Sequence, residues 1–307
     1  MEFIWIPITV FAALMQALRT AGQKTLNQRM STLGTTYVRS LAGLPILVLF
    51  LLTVLHLEGG GVPAWRPAYF AYTFGGALAQ VVATALLIRL FTLKTFAVSS
   101  MLIKSDVLMT AVIGSMWFSE TLSPLGWGAL VAVLAGVIVM SVGRVGTERV
   151  LAEGEVFAGA DGGRALRIGL TCALIFTFSY LFIREAALML EPRGAFWRAG
   201  WTVVTVTSMQ VVGLGAWLAL REPGVFGQLW PNRRLVGFVG LTSALGSVGW
   251  FSAFALENAS YVRAVAQIEA VFTLVISWFY FKERINGMEF AGIVIVIGGV
   301  LMFRLIG

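Results

Sequence analysis

The sequence predicts an all-α polytopic membrane protein, with ten transmembrane helices arranged as two inverted five-helix repeats. Three observations lead there. Of 307 residues, 58% are hydrophobic and only 12% charged, too few charges to solvate a soluble domain of this length. Apolar stretches of about 20 residues recur throughout, each long enough at ~1.5 Å per residue to cross a ~30 Å hydrocarbon core; the alternating segments of about 10 residues that build a β-barrel are absent. The chain also repeats itself. FAVSSMLIKSDVLMTAVIGSMWFSE, Phe96 to Glu120, matches SYVRAVAQIEAVFTLVISWFYFKE, Ser260 to Glu283. One offset of 163 pairs Asp106 with Glu269, Thr110 with Thr273, Phe118 with Phe281 and Glu120 with Glu283.

The predicted spans are 3–21, 34–56, 68–90, 95–118, 124–143, 166–186, 195–220, 234–256, 259–281 and 286–305. The first carries Gln16 and Arg19, the second opens on TTYVRS with Arg39, and the third contains Gln80. The fourth has Asp106 at its middle, and the fifth has a small-residue row, Gly128, Ala132 and Gly136. The connection 144–165, GRVGTERVLAEGEVFAGADGGR, is Gly-rich and charged and reads as a linker. It separates a first five-helix repeat, 1–143, from a second, 166–307. In the second, GAFWRA around Arg198 parallels TTYVRS, Gln210 lies within the seventh span, and Glu269 mirrors Asp106. The tenth span repeats the fifth and brings Ala291, Gly292, Gly298 and Gly299 for close helix packing. An odd number of spans per repeat makes the second enter the membrane from the opposite side. Inverted repeats of this kind build secondary transporters whose sites lie near the midplane. Trp65, Trp127, Trp230 and Trp278 fall near span ends as interfacial anchors.

The two halves resemble EamA-type domains of the drug/metabolite transporter superfamily. The resemblance rests on a helix ending in Glu, a short break and a Gly-rich last helix: FSETLS before GALVAVLAGVIVM, and FKERIN before AGIVIVIGGVLM. Arg39 and Arg198, early in the second helix of each repeat, also fit. It implies a transporter fold and leaves the substrate open; relatives export amino acids, metabolites or drugs, or move nucleotide sugars and sugar phosphates. Relatives' termini are usually placed in the cytoplasm. The charges here point the other way. With the N-terminus outside, the inner loops hold Lys24, Arg29, Arg89, Lys94, Arg144, Arg149, Arg164, Arg167, Arg221, Arg233, Arg234, Lys282 and Arg284. The outer side has Arg66, Arg193 and Arg304, with Arg184 and Arg263 ambiguous. The positive-inside rule therefore puts both termini outside the cytoplasm, in a plasma membrane such as a bacterial inner membrane.

Asp106 lies about 17 Å of helix rise into its span, and Glu269 lies at equal depth. An ionised carboxylate there must be paired, hydrated or protonated. Three readings follow: a proton- or cation-coupling pair, ligands for a substrate ammonium, or a structural ion pair with a neighbouring helix. Asp106, Thr110 and Trp117 share one helical stripe, as do Glu269, Thr273 and Tyr280. Lys104 and Gln267, two residues earlier, fall about 200° around a continuous helix and so face elsewhere. Lys104 then neutralises an acid across the bundle or binds a substrate anion. Ser100 and Arg263 lie four residues before them. Arg39 and Arg198 could clamp a carboxylate or phosphate. Snorkelling accounts for Arg19, Arg184, Glu185 and Glu257, and interhelical hydrogen bonding for Gln16, Gln80 and Gln210. Trp250, Phe251 and Tyr261 either pack or wall an organic substrate. Glu120 and Glu283 read as capping or loop-bridging groups.

The lone Cys172 excludes an internal disulfide, and His56 is the only histidine, so a metal cluster is not expected. The pI near 10 reflects loop charges rather than nucleic-acid binding. No Walker A motif and no cofactor are expected; a proton or ion gradient supplies the energy. The N-terminus lacks the basic region of a cleavable signal peptide. The expected function is a secondary transporter, by default an exporter, of a small polar organic metabolite, amino-acid-like or anionic, by proton exchange. The alternative is a lipid-linked flippase. The expected partners are the solute and the bilayer, with the chain a monomer or homodimer.

Overall fold

The structure, a computed structural model, describes residues 3–93, 102–145, 160–281 and 286–305, and every regular element among them is helical. In chain order these are α1 (Trp5–Leu26), α2 (Thr32–Glu58), α3 (Pro67–Leu93), α4 (Ser105–Trp117), α5 (Pro124–Val145), α6 (Ala160–Leu188), α7 (Ala195–Arg221), α8 (Gly224–Leu229), α9 (Arg233–Leu256), α10 (Ala259–Val265), α11 (Ile268–Phe281) and α12 (Gly287–Met302). A 3-10 turn, Phe303–Leu305, follows.

Among the described residues seven helices are long and apolar enough to cross a membrane, where ten were expected. Two of the three differences share a cause. The predicted span 259–281 is split into α10 and α11 at Ala266 and Gln267. In the span 95–118, helical residues Leu102 and Ile103 give way at Lys104 before α4 begins. The third is α1, whose apolar run is interrupted by Gln16, Arg19, Thr20, Gln23 and Lys24.

The chain forms two compact units, and each draws on both halves of the sequence. One comprises Met1–Phe3, Val82–Phe178 and Asn258–Gly307; the other comprises Ile4–Val81 and Ser179–Glu257.

In the first unit, α5 and α12, the repeated last helices, pack antiparallel along a glycine seam. A Cβ on Gly292 would lie 2.6 Å from the Met140 nitrogen, one on Gly136 2.7 Å from that of Val296, and one on Gly299 2.9 Å from that of Val133. These obstacles are backbone atoms that no rotamer change can clear, so only glycine permits this approach. Both helices start with a side-chain cap at equivalent positions. Ser123 Oγ accepts from Gly126 N at 3.1 Å. Asn286 Oδ1 accepts from Glu289 N at 2.8 Å, while Glu289 Oε2 accepts from Asn286 N at 2.8 Å, a capping box. Asn286 Nδ2 also donates to Gly143 O at 2.6 Å, joining the end of α5 to the start of α12.

In the second unit, α2 and α7 form another antiparallel pair of repeated helices: Leu51 meets Gly200, Ser40 meets Gln210 and Tyr37 meets Gly215. Helix α1 runs antiparallel to α9 through Ala12 against Gly249 and Met15 against Gly246. Small residues on α9, Gly240 and Ala244, let α2 approach at Ala42 and Gly43.

Candidate functional site: charges at two helix breaks

The breaks in the first unit fall at equivalent positions, Lys104 and Ala266–Gln267, so the internal repeat extends to the discontinuity itself. Each break is followed by a new helix with an acid in its first turn, Asp106 in α4 and Glu269 in α11. Exposed N–H groups and the positive end of a helix dipole favour a carboxylate there.

Asp106 is only 1% exposed, and its Oδ2 accepts from Arg263 Nη2 of α10 at 2.6 Å. Its Oδ1 is buried without a hydrogen-bond partner. Helix α4 is anchored beside it: Thr110 Oγ1 donates to the Asp106 carbonyl at 2.6 Å, and Thr177 Oγ1 donates to the same oxygen at 3.2 Å. Lys104 lies in the field of Glu269, Asp106 and Arg263. Two cations and two anions thus form one balanced cluster. The sequence turned Lys104 away from Asp106 and offered an acid across the bundle as its partner; Glu269, on the other broken helix, is such an acid, and Asp106 acts on Lys104 as well. Gln267 is fully buried. Its Nε2 donates to the Arg263 carbonyl at 3.2 Å, satisfying an acceptor at the end of α10, and its Oε1 has no hydrogen-bond partner.

A second carboxylate holds the geometry. Buried Glu120 accepts from the Ala259 and Ser260 backbone nitrogens, at 2.6 and 3.1 Å, and from Ser260 Oγ at 2.5 Å. It therefore caps the N-terminus of α10, three residues before Arg263. Ser119 takes a left-handed conformation (φ 55°), and both Phe118 N and Glu120 N donate to Gly114 O at 3.0 Å, so the chain turns tightly off α4 to deliver this carboxylate. Tyr261 is used in packing: its hydroxyl accepts from Ser123 N at 3.0 Å, and its ring meets Phe303 at 5.2 Å. The Thr273 side chain, and Ser100 and Glu283 altogether, lie outside the described residues.

The other predicted site residues belong to the second unit. Arg39 Nη2 reaches Gln210 Oε1 at 3.5 Å, and Ser40 Oγ donates to the same oxygen at 3.0 Å. Arg198 has a different environment despite its matching sequence position. Its Nη1 pairs with Glu191 at 2.8 Å and its Nη2 donates to Ala255 O at 2.9 Å. Arg184 donates to Phe254 O at 2.8 Å and to Glu257 O. Arg184 and Arg198 thus serve the carbonyl end of α9, where a cation is favoured. Trp250 Nε1 donates to Gln16 Oε1 at 3.1 Å, and its ring stacks on Phe254.

Residues 164–305 match the EamA-like transporter family. That stretch is an EamA-like transporter domain, of the drug/metabolite transporter superfamily. This match and the seven long apolar helices among the described residues point to an integral membrane protein. The matched stretch includes α10, the second break, α11 and the capped α12. No curated protein matches the chain. A crystal structure that bears no functional name has the same fold, with a TM-score of 0.69 at 12% identity over 100% of this chain and 99% of that one. The family resemblance read from FKERIN and the Gly-rich helix after it is therefore correct.

Sequence reasoning assigned Gln16, Gln80 and Gln210 to interhelical hydrogen bonding, and each makes such a bond, Gln16 with Trp250, Gln80 with Gln210 and Gln210 with Ser40. Arg19, assigned to snorkelling, lies with them in the second unit; Gln210 is buried, and Gln16, Arg19 and Gln80 are partly buried.

Proposed function

We propose that this EamA-like protein is a secondary active transporter that exchanges protons for a small polar organic solute, amino-acid-like or anionic, and exports it across a plasma membrane such as the bacterial inner membrane. The observation that carries the reading is the charge-balanced cluster at two symmetric helix breaks, with Asp106 and Arg263 buried and Lys104 and Glu269 partly buried. Ionised groups are expensive inside a membrane, and discontinuous helices are a recurrent way of building transporter sites.

The cluster suits exchange by competition. A proton and a solute ammonium are alternative ligands for the same carboxylate. A zwitterion can take Asp106 with its ammonium and Arg263 with its carboxylate, so both charges stay paired while the Asp106–Arg263 bridge opens. Protonation of Asp106 removes the anion the ammonium needs and releases the solute. The antiparallel pairing of α5 with α12 and of α2 with α7 supports inverted repeats, 1–143 and 166–307, as the elements that rock in alternating access.

Proteoliposomes test this directly. A pH gradient should drive uptake of labelled amino-acid-like solutes by the unmodified protein, and Asp106→Asn with Glu269→Gln should abolish the gradient dependence. Intact pH-driven flux in that double variant would remove the coupling role.

A further inference from the structure

Where α2 ends and α7 begins, the second unit carries hydrogen-bond donors from which no described residue accepts. Trp197 stands in the first turn of α7, and Trp201 one turn further in, about 6 Å of helix rise. Trp197 is only 3% exposed, and the indole nitrogens of both residues are buried without a hydrogen-bond partner. An indole N–H can only donate, so each is a buried donor left unsatisfied, at a cost in free energy. The two rings lie 6.2 Å apart, and Trp65 meets Trp201 edge-on at 5.4 Å.

A cation stands beside them. The Arg193 guanidinium lies over the Trp197 ring, 5.6 Å from its centroid, and no carboxylate among the described residues pairs with it. Glu191 is committed to Arg198, and Glu58 stands against Gly194 at the start of α7. Arg193 and Trp197 border one space: a Cβ on Gly60 would lie 3.1 Å from Trp197 Nε1 and 3.2 Å from Arg193 Nη1. Gly60 has a left-handed φ of 114°, and a Cβ on Gly59 or Gly61 would meet no neighbour. Leu57, Val62, Trp65 and Phe70, on the same stretch of chain, are exposed.

We propose that this corner binds a glycerophospholipid, whose phosphate accepts from Arg193 and Trp197 Nε1 and whose ester carbonyl accepts from Trp201 Nε1. The arrangement suits a lipid rather than a free anion. The phosphodiester offers charged oxygens to a guanidinium fork and an indole N–H. The ester carbonyls of a lipid lie deeper than its phosphate, as Trp201 lies deeper than Trp197 along α7. Acyl chains would cover the exposed apolar side chains, and the end of a membrane-spanning helix is where headgroups are met. An anionic headgroup such as phosphatidylglycerol is favoured over phosphatidylcholine, whose own cation would meet Arg193. The inference needs only that the chain spans a membrane and is independent of proton exchange.

Purified full-length protein in neutral detergent is titrated with phosphatidylglycerol, with phosphatidylcholine and with an ether-linked phosphatidylglycerol that lacks the ester carbonyls. Glycerol phosphate at matched ionic strength supplies the headgroup without the lipid. Thermal shift reads the response, and native mass spectrometry counts the lipid retained. The expected result is a saturable response to phosphatidylglycerol, weaker with phosphatidylcholine and absent with glycerol phosphate. Arg193→Gln and Trp197→Phe should each weaken the apparent affinity about tenfold or more. Phenylalanine keeps an aromatic ring and removes the N–H; should that variant fail to fold, Arg193 is exposed and its variant still decides. The ether lipid should bind the unmodified protein more weakly than the ester lipid does, and Trp201→Phe should abolish that difference. Arg304→Gln, at an exposed position of the other unit, should respond like the unmodified protein. An equal response to glycerol phosphate, no saturable response to phosphatidylglycerol, or an unchanged response in Arg193→Gln overturns the proposal. The Asp106→Asn, Glu269→Gln variant should keep the lipid response while losing pH-driven flux, so failure of either reading leaves the other standing.

Discussion

The Asp106–Arg263 bridge shows how a single buried charge constrains its surroundings. Removing one partner leaves the other uncompensated, so Arg263→Gln should destabilise the protein by about 3–5 kcal/mol. Combining it with Asp106→Asn should recover much of that loss, because both charges are then gone. Thermal unfolding of the two single variants and the double variant measures the coupling. Glu120 serves a different purpose: three donors converge on it, and their loss in Glu120→Ala should cost about 1–3 kcal/mol, read in the same assay. The importance of Asp106 and Glu269 was legible from sequence, since a carboxylate midway along an apolar span has few explanations. Their partners were not. Arg263 lies 157 residues from Asp106, and no periodicity connects them.

At the scale of elements, the helix breaks separate this structure from ten uninterrupted spans. A hydropathy pattern averages over a window, and two or three residues without helical pairing leave it unchanged. Lys104 and Gln267 were recognised as a symmetric pair, yet their position at the break could not be read, because helical spacing presumes the helix. The glycine seam was half legible. Gly136, Gly292 and Gly299 do mediate a close intramolecular contact, whereas Gly298 faces open space. Gly136→Ala and Gly292→Ala should therefore each lower stability by about 1–3 kcal/mol through backbone collision. Gly298→Ala should stay within about 0.5 kcal/mol of the unmodified protein, and parallel melting curves would separate the two classes.

For the whole molecule, the charge bias of the loops predicts both termini outside the cytoplasm. Cys172 makes this testable in the native background: it is buried, and its Sγ donates to Ala83 O at 3.2 Å. A membrane-impermeant maleimide should not label the unmodified protein. Gly61→Cys, in the α2–α3 connection, should label on intact cells, and Gly227→Cys, in α8, only after permeabilisation; a Cβ at either position meets no neighbour. The reverse pattern would invert the orientation. Composition, the 163-residue repeat and the Glu-ended helix signature determined by themselves that this is a helical membrane protein with an EamA-like domain in its second half, because a bilayer imposes its length and polarity on every segment that crosses it. Only the tertiary structure decided which charges meet. Helix discontinuities redirect side chains, and antiparallel packing brings residues from opposite halves together, so Arg263 finds Asp106 and Arg39 finds Gln210 through contacts that no local pattern in the chain records.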